Sequence, residues 1–354
     1  MTANTFTHGT TMPLPDSPFL EEFLSTSSLT PAERQVVRDY AEKGYAVIDV
    51  GLPDFDQVAD RLLANLAPKY PANDRRIMEA WYFDEEVRKI ACAPKVLEFL
   101  KLVYQRDAFP FQTLNFDHGT SQPSHSDTIH FHSIPHHYMV GVWVAFEDIH
   151  PDAGPLFVHP GSHKLPDYDM HDLGLPASPD AYLEYEKKVG AILKARGYER
   201  EPVLPKRGQA VVWSANLFHG GMPVKDKSLT RHSQATHYYF DDCMYYFPMG
   251  SEPFAGRMVV REAINIQTGE MLPLRYRDRQ VHLTDYKDVL TYPRPLPSWV
   301  KNAPPPRATE PEDPQTAHLR QRIRDLESVV ESQRSISRVV SGVRKKVRGL
   351  LGNS

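Results

Sequence analysis

The stretch from residue 109 to 245 constrains the fold most. Short runs rich in β-branched and aromatic residues recur there, over 111–116, 138–146, 156–158, 209–213 and 234–240, each closed by glycine, proline or polar turn residues. That rhythm predicts an antiparallel barrel or double-sheet jelly roll. The 31 prolines fit the same architecture, because proline is excluded from helix interiors and central strands.

Helices precede these runs. In Leu29-Thr30-Pro31-Ala32-Glu33, Thr30 stands as N-cap, Pro31 takes the first helical position and Glu33 completes a capping box. The helix is expected to reach Gly44, where a C-cap glycine belongs, with a strand over 45–50 and further helices near 54–66 and 84–104. One more helix, 179–196, has apolar positions at helical spacing and is expected as an insertion beside the barrel mouth. The class is therefore mainly β with flanking helices (α+β). Four segments are expected: a flexible Thr/Ser/Pro-rich lead-in over 1–28, the folded domain over 29–292, a Pro-rich linker over 293–316 and an amphipathic or coiled-coil basic tail over 317–354.

Charge and cysteine content narrow the partners. A formal net charge of -4 argues against nucleic acid, whose binding needs concentrated positive charge. Two cysteines make no disulfide framework and no CxxC metal signature. The N-terminus lacks a secretory pattern, and nowhere do 18 apolar residues run together. The expectation is a soluble, cytoplasmic protein.

Chemistry concentrates in Ser124-His125-Ser126-Asp127-Thr128. In extended chain, residues two apart point the same way, so His125 and Asp127 offer an imidazole and a carboxylate to one point. His219, before Gly220-Gly221, supplies a third ligand. Two histidines and one carboxylate on one face leave three positions open, the facial triad of Fe(II) oxygenases. Two of them suit a keto-acid and the third O2. A keto-acid with a distal carboxylate needs a cation, and Arg231, 12 residues after His219, is placed to grip it bidentately.

With these motifs the sequence resembles the phytanoyl-CoA dioxygenase family of Fe(II)- and 2-oxoglutarate-dependent oxygenases. The resemblance rests on FQTLNF at 111–116, His125-Ser126-Asp127, GVWVAFED at 141–148, GPLFVHPGSH at 154–163, and His219-Gly220-Gly221 followed by Arg231. It implies a double-stranded β-helix (jelly-roll, cupin-like) core, iron on His125, Asp127 and His219, and the far carboxylate of 2-oxoglutarate on Arg231. Gln112, Thr113 or Asn115 are expected to orient the co-substrate and Trp143 to line the pocket. Family members often carry Ser two residues after the distal His; here Gly221 stands there, so a hydroxyl is expected from Ser233 or Thr128. The implied reaction is oxidative decarboxylation to succinate and CO2 with hydroxylation of an unactivated C–H bond. Asp127 favours hydroxylation over halogenation, since related halogenases lack this carboxylate.

Other histidines have plainer readings. His130, His132, His136 and His137 form a rival group without a convincing set of further ligands, and are expected to line the substrate entrance. His159 and His163 flank Pro160-Gly161 and are expected to stabilise that turn, and the tyrosines at 238–239 and 245–246 to fill the core. The tail places Arg334, Arg338, Arg344, Lys345, Lys346 and Arg348 beside an apolar stripe, which suits self-association or peripheral contact with anionic lipid at the inner membrane face. It is similar in composition to tails of some bacterial glycosyltransferases of surface-polysaccharide assembly. The expected substrate is thus a small molecule or a carrier-, glycan- or lipid-linked one. Two alternatives are a catalytically inactive binding module on the same fold and a zinc hydrolase.

Overall fold

The structure is a computed structural model that describes residues 11–71, 75–277 and 279–301. Along the chain its helices are α1 (Leu20–Thr26), α2 (Pro31–Lys43), α3 (Phe55–Leu66), α4 (Glu85–Ala91), α5 (Pro94–Tyr104) and α6 (Tyr182–Ala195). Twelve strands matter for the site: β1 (Tyr45–Asp49), β2 (Arg76–Met78), β3 (Ala108–Phe116), β4 (His132–Ile134), β5 (Met139–Ala145), β6 (Leu156–Val158), β7 (Glu201–Pro202), β8 (Gln209–Ser214), β9 (His219–Gly221), β10 (Ser233–Phe240), β11 (Met244–Tyr246) and β12 (Val260–Arg261).

Six strands form the major sheet, in the order β1-β8-β5-β10-β3-β2, all antiparallel. Facing it lies the shorter sheet β7-β6-β9, extended by a bridge from His125 to His219. Both faces of the central strands β8, β5, β10 and β3 are buried, which explains runs without polar alternation. On one face Val140, Val142, Val144, Ala210 and Val212 join a core with Val58, Leu62, Val96 and Leu100 of α3 and α5. On the other, Trp143, Val211, Trp213 and Ala235 meet Leu156 and Val158 of the short sheet. The functional cavity opens between these two sheets.

The first helix follows the expected chemistry. Thr30 accepts from the Glu33 N–H, the Glu33 side chain accepts from the Thr30 N–H, and Gly44 closes α2 at φ 79°. Three boundaries differ from expectation. The helix expected over 84–104 is two helices, because Pro94 cannot continue α4 and instead starts α5. From residue 11 the lead-in is folded: Leu14 and Leu24 are fully buried against Val37, and Asp16 bonds His137 (2.7 Å). The Pro-rich segment after 293 stays on the domain as far as Lys301, which bridges Glu270, while Trp299 packs edge-on against Trp81, 5.4 Å between rings. The amphipathic tail lies outside the described residues. No helix among the described residues is long and apolar enough to cross a membrane.

Candidate active site

His125 and Asp127 lie on an extended connection rather than in a ladder strand. Ser126 between them is extended (φ -110°, ψ 150°), and Asp127 opens a 3-10 turn. The two-residue alternation survives, so both side chains face β9, where His219 pairs with His125 through backbone bonds of 3.0 and 2.9 Å. The His125 Nε2 and His219 Nε2 stand 4.0 and 3.8 Å from Asp127 Oδ1. One donor atom from each residue lies within 4.8 Å of the others.

The surroundings prepare these atoms for a cation. His125 Nδ1 donates to the Pro123 carbonyl and His219 Nδ1 to the Leu217 carbonyl, both at 3.0 Å, so each ring turns an Nε2 lone pair inward. Burial, with His219 beside it, pushes His125 down to about 3, which keeps it neutral. The Trp213 indole N–H donates to Asp127 Oδ2 at 2.8 Å and leaves Oδ1 for the site. Burial alone would raise the Asp127 carboxyl, but His219, His237, His125 and the Trp213 N–H together hold it below the usual carboxylate range. Two imidazoles that turn their Nε2 atoms inward and a carboxylate at this spacing fit a divalent ion about 2 Å from each donor.

Gly141 makes the Trp213 contact possible. A Cβ at this position of β5 would run into the Trp213 indole, which lies flat along the strand to reach Asp127.

The same cavity, about 220 Å³, is bordered by Arg231, Trp143 and Gln112 as well as the triad. Arg231 is 4% exposed. It donates to the Gly154 carbonyl at 2.8 Å and lies near the rings of Phe116 and Trp143. Its Nε has no hydrogen-bond partner, and no acid lies within ion-pair distance among the described residues. Burial pushes the guanidinium down to about 10. It remains a cation, and a buried cation without counter-charge calls for an anionic ligand.

Four expected contacts fall elsewhere. Strand β3 turns Gln112, Leu114 and Phe116 to the cavity, so Thr113 and Asn115 point the other way. The Asn115 amide bonds Gln234 (3.1 Å), which in turn donates to the Val87 carbonyl of α4. Ser233 donates to the Arg231 carbonyl, and Thr128 bonds Ser126 (2.8 Å); neither lines the cavity. The hydroxyl that does is Thr120. A Cβ on Gly221 would lie 3.2 Å from Thr120 Oγ1, so the hydroxyl fills the space that the missing side chain leaves. Thr120 precedes Gly221 by 101 positions, and only the fold brings the two together.

The remaining histidines divide. His130 lines the cavity with its ring 4.9 Å from Tyr182 of α6, so the inserted helix does flank the mouth. His159 bonds Ser124 and His163 bonds the Ala41 carbonyl, both at 3.0 Å, as structural contacts. His132 and His136 meet Asp167, a partner not apparent in the sequence, with one donor atom of each within 4.8 Å of the others. The Ser133 N–H donates to His132 Nδ1 (2.8 Å), so His132 Nε2 carries its proton toward Asp167 (3.1 Å) and is no free ligand. This is an ion-pair network.

A jelly-roll cavity holding two histidines and an aspartate beside a buried arginine defines the class of non-haem metal oxygenase folds. The phytanoyl-CoA dioxygenase family model matches residues 32–233, more than half of the 354 residues, and the chain belongs to that family. It is 24% identical over 220 residues to the peroxisomal phytanoyl-CoA dioxygenase of Bos taurus, covering 59% of this chain and spanning about 59% of that relative's length. Two solved structures share the fold. The epimerase SnoN in complex with Fe3+, alpha ketoglutarate and nogalamycin RO has a TM-score of 0.50 and 19% identity, over 63% of this chain and 88% of that one. The alpha-ketoglutarate-dependent carbocyclase SnoK from nogalamycin biosynthesis has a TM-score of 0.50 and 17% identity, over 62% and 87%.

Proposed function

We propose that this chain is an Fe(II)- and 2-oxoglutarate-dependent dioxygenase that hydroxylates an unactivated C–H bond of a small-molecule or carrier-, glycan- or lipid-linked substrate, releasing succinate and CO2. One observation carries the reading: the His125/Asp127/His219 donor set and the unpaired, buried Arg231 face one cavity. A zinc hydrolase has no use for that guanidinium, and a silent binding module has no use for the donor set.

Ferrous iron, with 2-oxoglutarate and O2, supplies C–H oxidation coupled to decarboxylation of the keto-acid. The protein's share is placement. His125, Asp127 and His219 hold the metal, with the Trp213 N–H fixing which carboxylate oxygen is offered. Arg231 takes the distal carboxylate, Thr120 adds a hydroxyl at the same end, and the rings of Phe116 and Trp143 exclude water around the guanidinium.

The test is anaerobic addition of Fe(II) and then 2-oxoglutarate, reading the visible iron-to-keto-acid charge-transfer band. The band is expected in the wild type, absent in His125→Ala, and at much higher 2-oxoglutarate in Arg231→Ala. Iron binding without a band at any 2-oxoglutarate concentration overturns the reading.

A further inference from the structure

Two consecutive glycines let an outer stretch of chain lie close against β9. The Gly221 N–H donates to the Gln122 carbonyl at 2.9 Å. A Cβ at Gly220 would stand 2.6 Å from the Gln122 carbonyl oxygen, and one at Gly221 3.1 Å from the Gln122 nitrogen. A larger residue at either position would push Gln122 outward. Its backbone is thereby fixed, and its side chain lines the cavity.

The amide of that side chain borders the metal ligands. Its nitrogen is 3.3 Å from His125 Nε2; a metal about 2 Å from that ring nitrogen therefore has the amide within roughly 5 Å. On the other side stands Tyr182, the first residue of α6, whose ring packs 4.9 Å from that of His130. The Tyr182 hydroxyl neighbours Gln122 and is buried without a hydrogen-bond partner among the described residues. A primary amide has two N–H donors. One suits the Tyr182 oxygen. The other, with His125 Nε2 given to the metal, needs an acceptor on the ion's open side. A carboxylate or a diatomic gas held there only accepts, which sets the NH2 side of the amide toward it. Arg231 and Thr120 are committed to the distal carboxylate, so neither supplies this donor.

We propose that Gln122 donates a hydrogen bond to an oxygen-terminated ligand on the open side of the metal, and that Tyr182 is a positioning residue that holds the amide for this contact. The inference rests on the oxygenase reading above. Two ligands offer the required acceptor: the metal-end carboxylate of 2-oxoglutarate and a diatomic gas. The contact gives Gly220 and Gly221 a reason, since together they admit Gln122 so close to β9. It also ties α6, inserted beside the mouth, to the metal-facing amide.

The experiment uses full-length protein loaded anaerobically with Fe(II). The probes are 2-oxoglutarate and nitric oxide, the latter added both with and without the keto-acid. The charge-transfer band gives the 2-oxoglutarate Kd, and infrared spectroscopy gives the N–O stretch. Gln122→Met keeps the length of the side chain and removes the donor. In it the 2-oxoglutarate Kd is expected to rise roughly three- to tenfold, the worth of one neutral hydrogen bond, or the N–O stretch to rise and lose its shift in D2O. Fe(II) affinity should stay the same. The first response assigns the bond to the carboxylate, the second to the diatomic ligand. Tyr182→Phe should give the same response in smaller measure and add nothing in the Gln122→Met background. No change with either probe, or changes that only follow a loss of Fe(II) affinity, overturns the proposal. If Gln122→Met does not fold, Tyr182→Phe and the D2O shift of the wild-type stretch decide, and silence in both overturns it. A normal charge-transfer band with neither response sinks this inference alone. An absent band with the nitric oxide response sinks the oxygenase reading alone.

Discussion

Arg231 has strong electrostatic reason to hold an anion, because its burial has been tolerated without any acid at ion-pair distance among the described residues. Arg231→Ala should raise the 2-oxoglutarate Kd by roughly 30-fold or more, the usual cost of losing one partner of a buried charge pair, while Fe(II) affinity stays the same. Thr120→Val should raise it only about three- to tenfold, as for one neutral hydrogen bond; titrating the charge-transfer band separates the two. Gly141 acts on the metal instead. In Gly141→Ala the new methyl must displace the Trp213 indole and break its bond to Asp127 Oδ2. Fe(II) affinity should fall by roughly 10- to 100-fold, as when an outer partner of a ligand is lost. Trp213→Phe should reproduce that loss with a smaller drop in thermal stability, because no overpacking accompanies it. Equal iron affinity in both variants and wild type would refute the assigned role of the indole.

The N-terminal segment is tied to the domain by one charged element. His137, at φ 66°, places Nδ1 2.7 Å from Asp16 and Nε2 2.8 Å from Asp167; His132 approaches the same Asp167 oxygen at 3.1 Å and His136 at 3.9 Å. Burial alone would lower His137, but the two carboxylates outweigh it and raise it to about 10. A folded-state value above the ordinary histidine value near 6.5 means that this stabilisation is fully present below that ordinary value. It is lost as pH rises through about 10. His137→Gln should therefore lower the urea midpoint clearly near neutral pH and hardly at all above pH 10. Amide exchange over 14–26 should accelerate in the same variant. None of this was legible in the sequence, where residues 1–28 read as a polar lead-in, since the pairing of Asp16 with His137 and of His137 with Asp167 joins three distant segments. Elements whose signals are local were legible: the Thr30–Glu33 capping box, the Gly44 cap, and the strand runs. Thr113 and Asn115 were assigned to the cavity for a different reason. Strand β3 is buried on both faces, so its pattern does not reveal which parity faces inward, and Gln112, Leu114 and Phe116 proved to be the inward set.

The extent of the folded unit is a property of the whole chain. Proline frequency put the end of the domain at 292, but a proline-rich segment is also able to lie extended along a core and bury its aromatic residues. Among the described residues the compact unit continues to Lys301. Trp299 packs on Trp81, and Trp81 in turn donates to Glu79. All residues bordering the cavity fall between Arg76 and His237, so a chain ended after 303 should bind Fe(II) and 2-oxoglutarate as the full-length protein does. A chain ended after 292 removes Trp299 and the Lys301 bridge to Glu270. Trp299 is partly buried against the core, so its loss costs less than the about 3–5 kcal/mol of a fully buried aromatic, and the remaining Trp81 face is left to water. The shorter chain should therefore show a lower urea midpoint, and, where it still folds, a nearly intact charge-transfer band, because Arg231 and the iron ligands are untouched. Equal urea midpoints for the 292 and 303 chains would place the end of the domain at the proline-rich boundary after all.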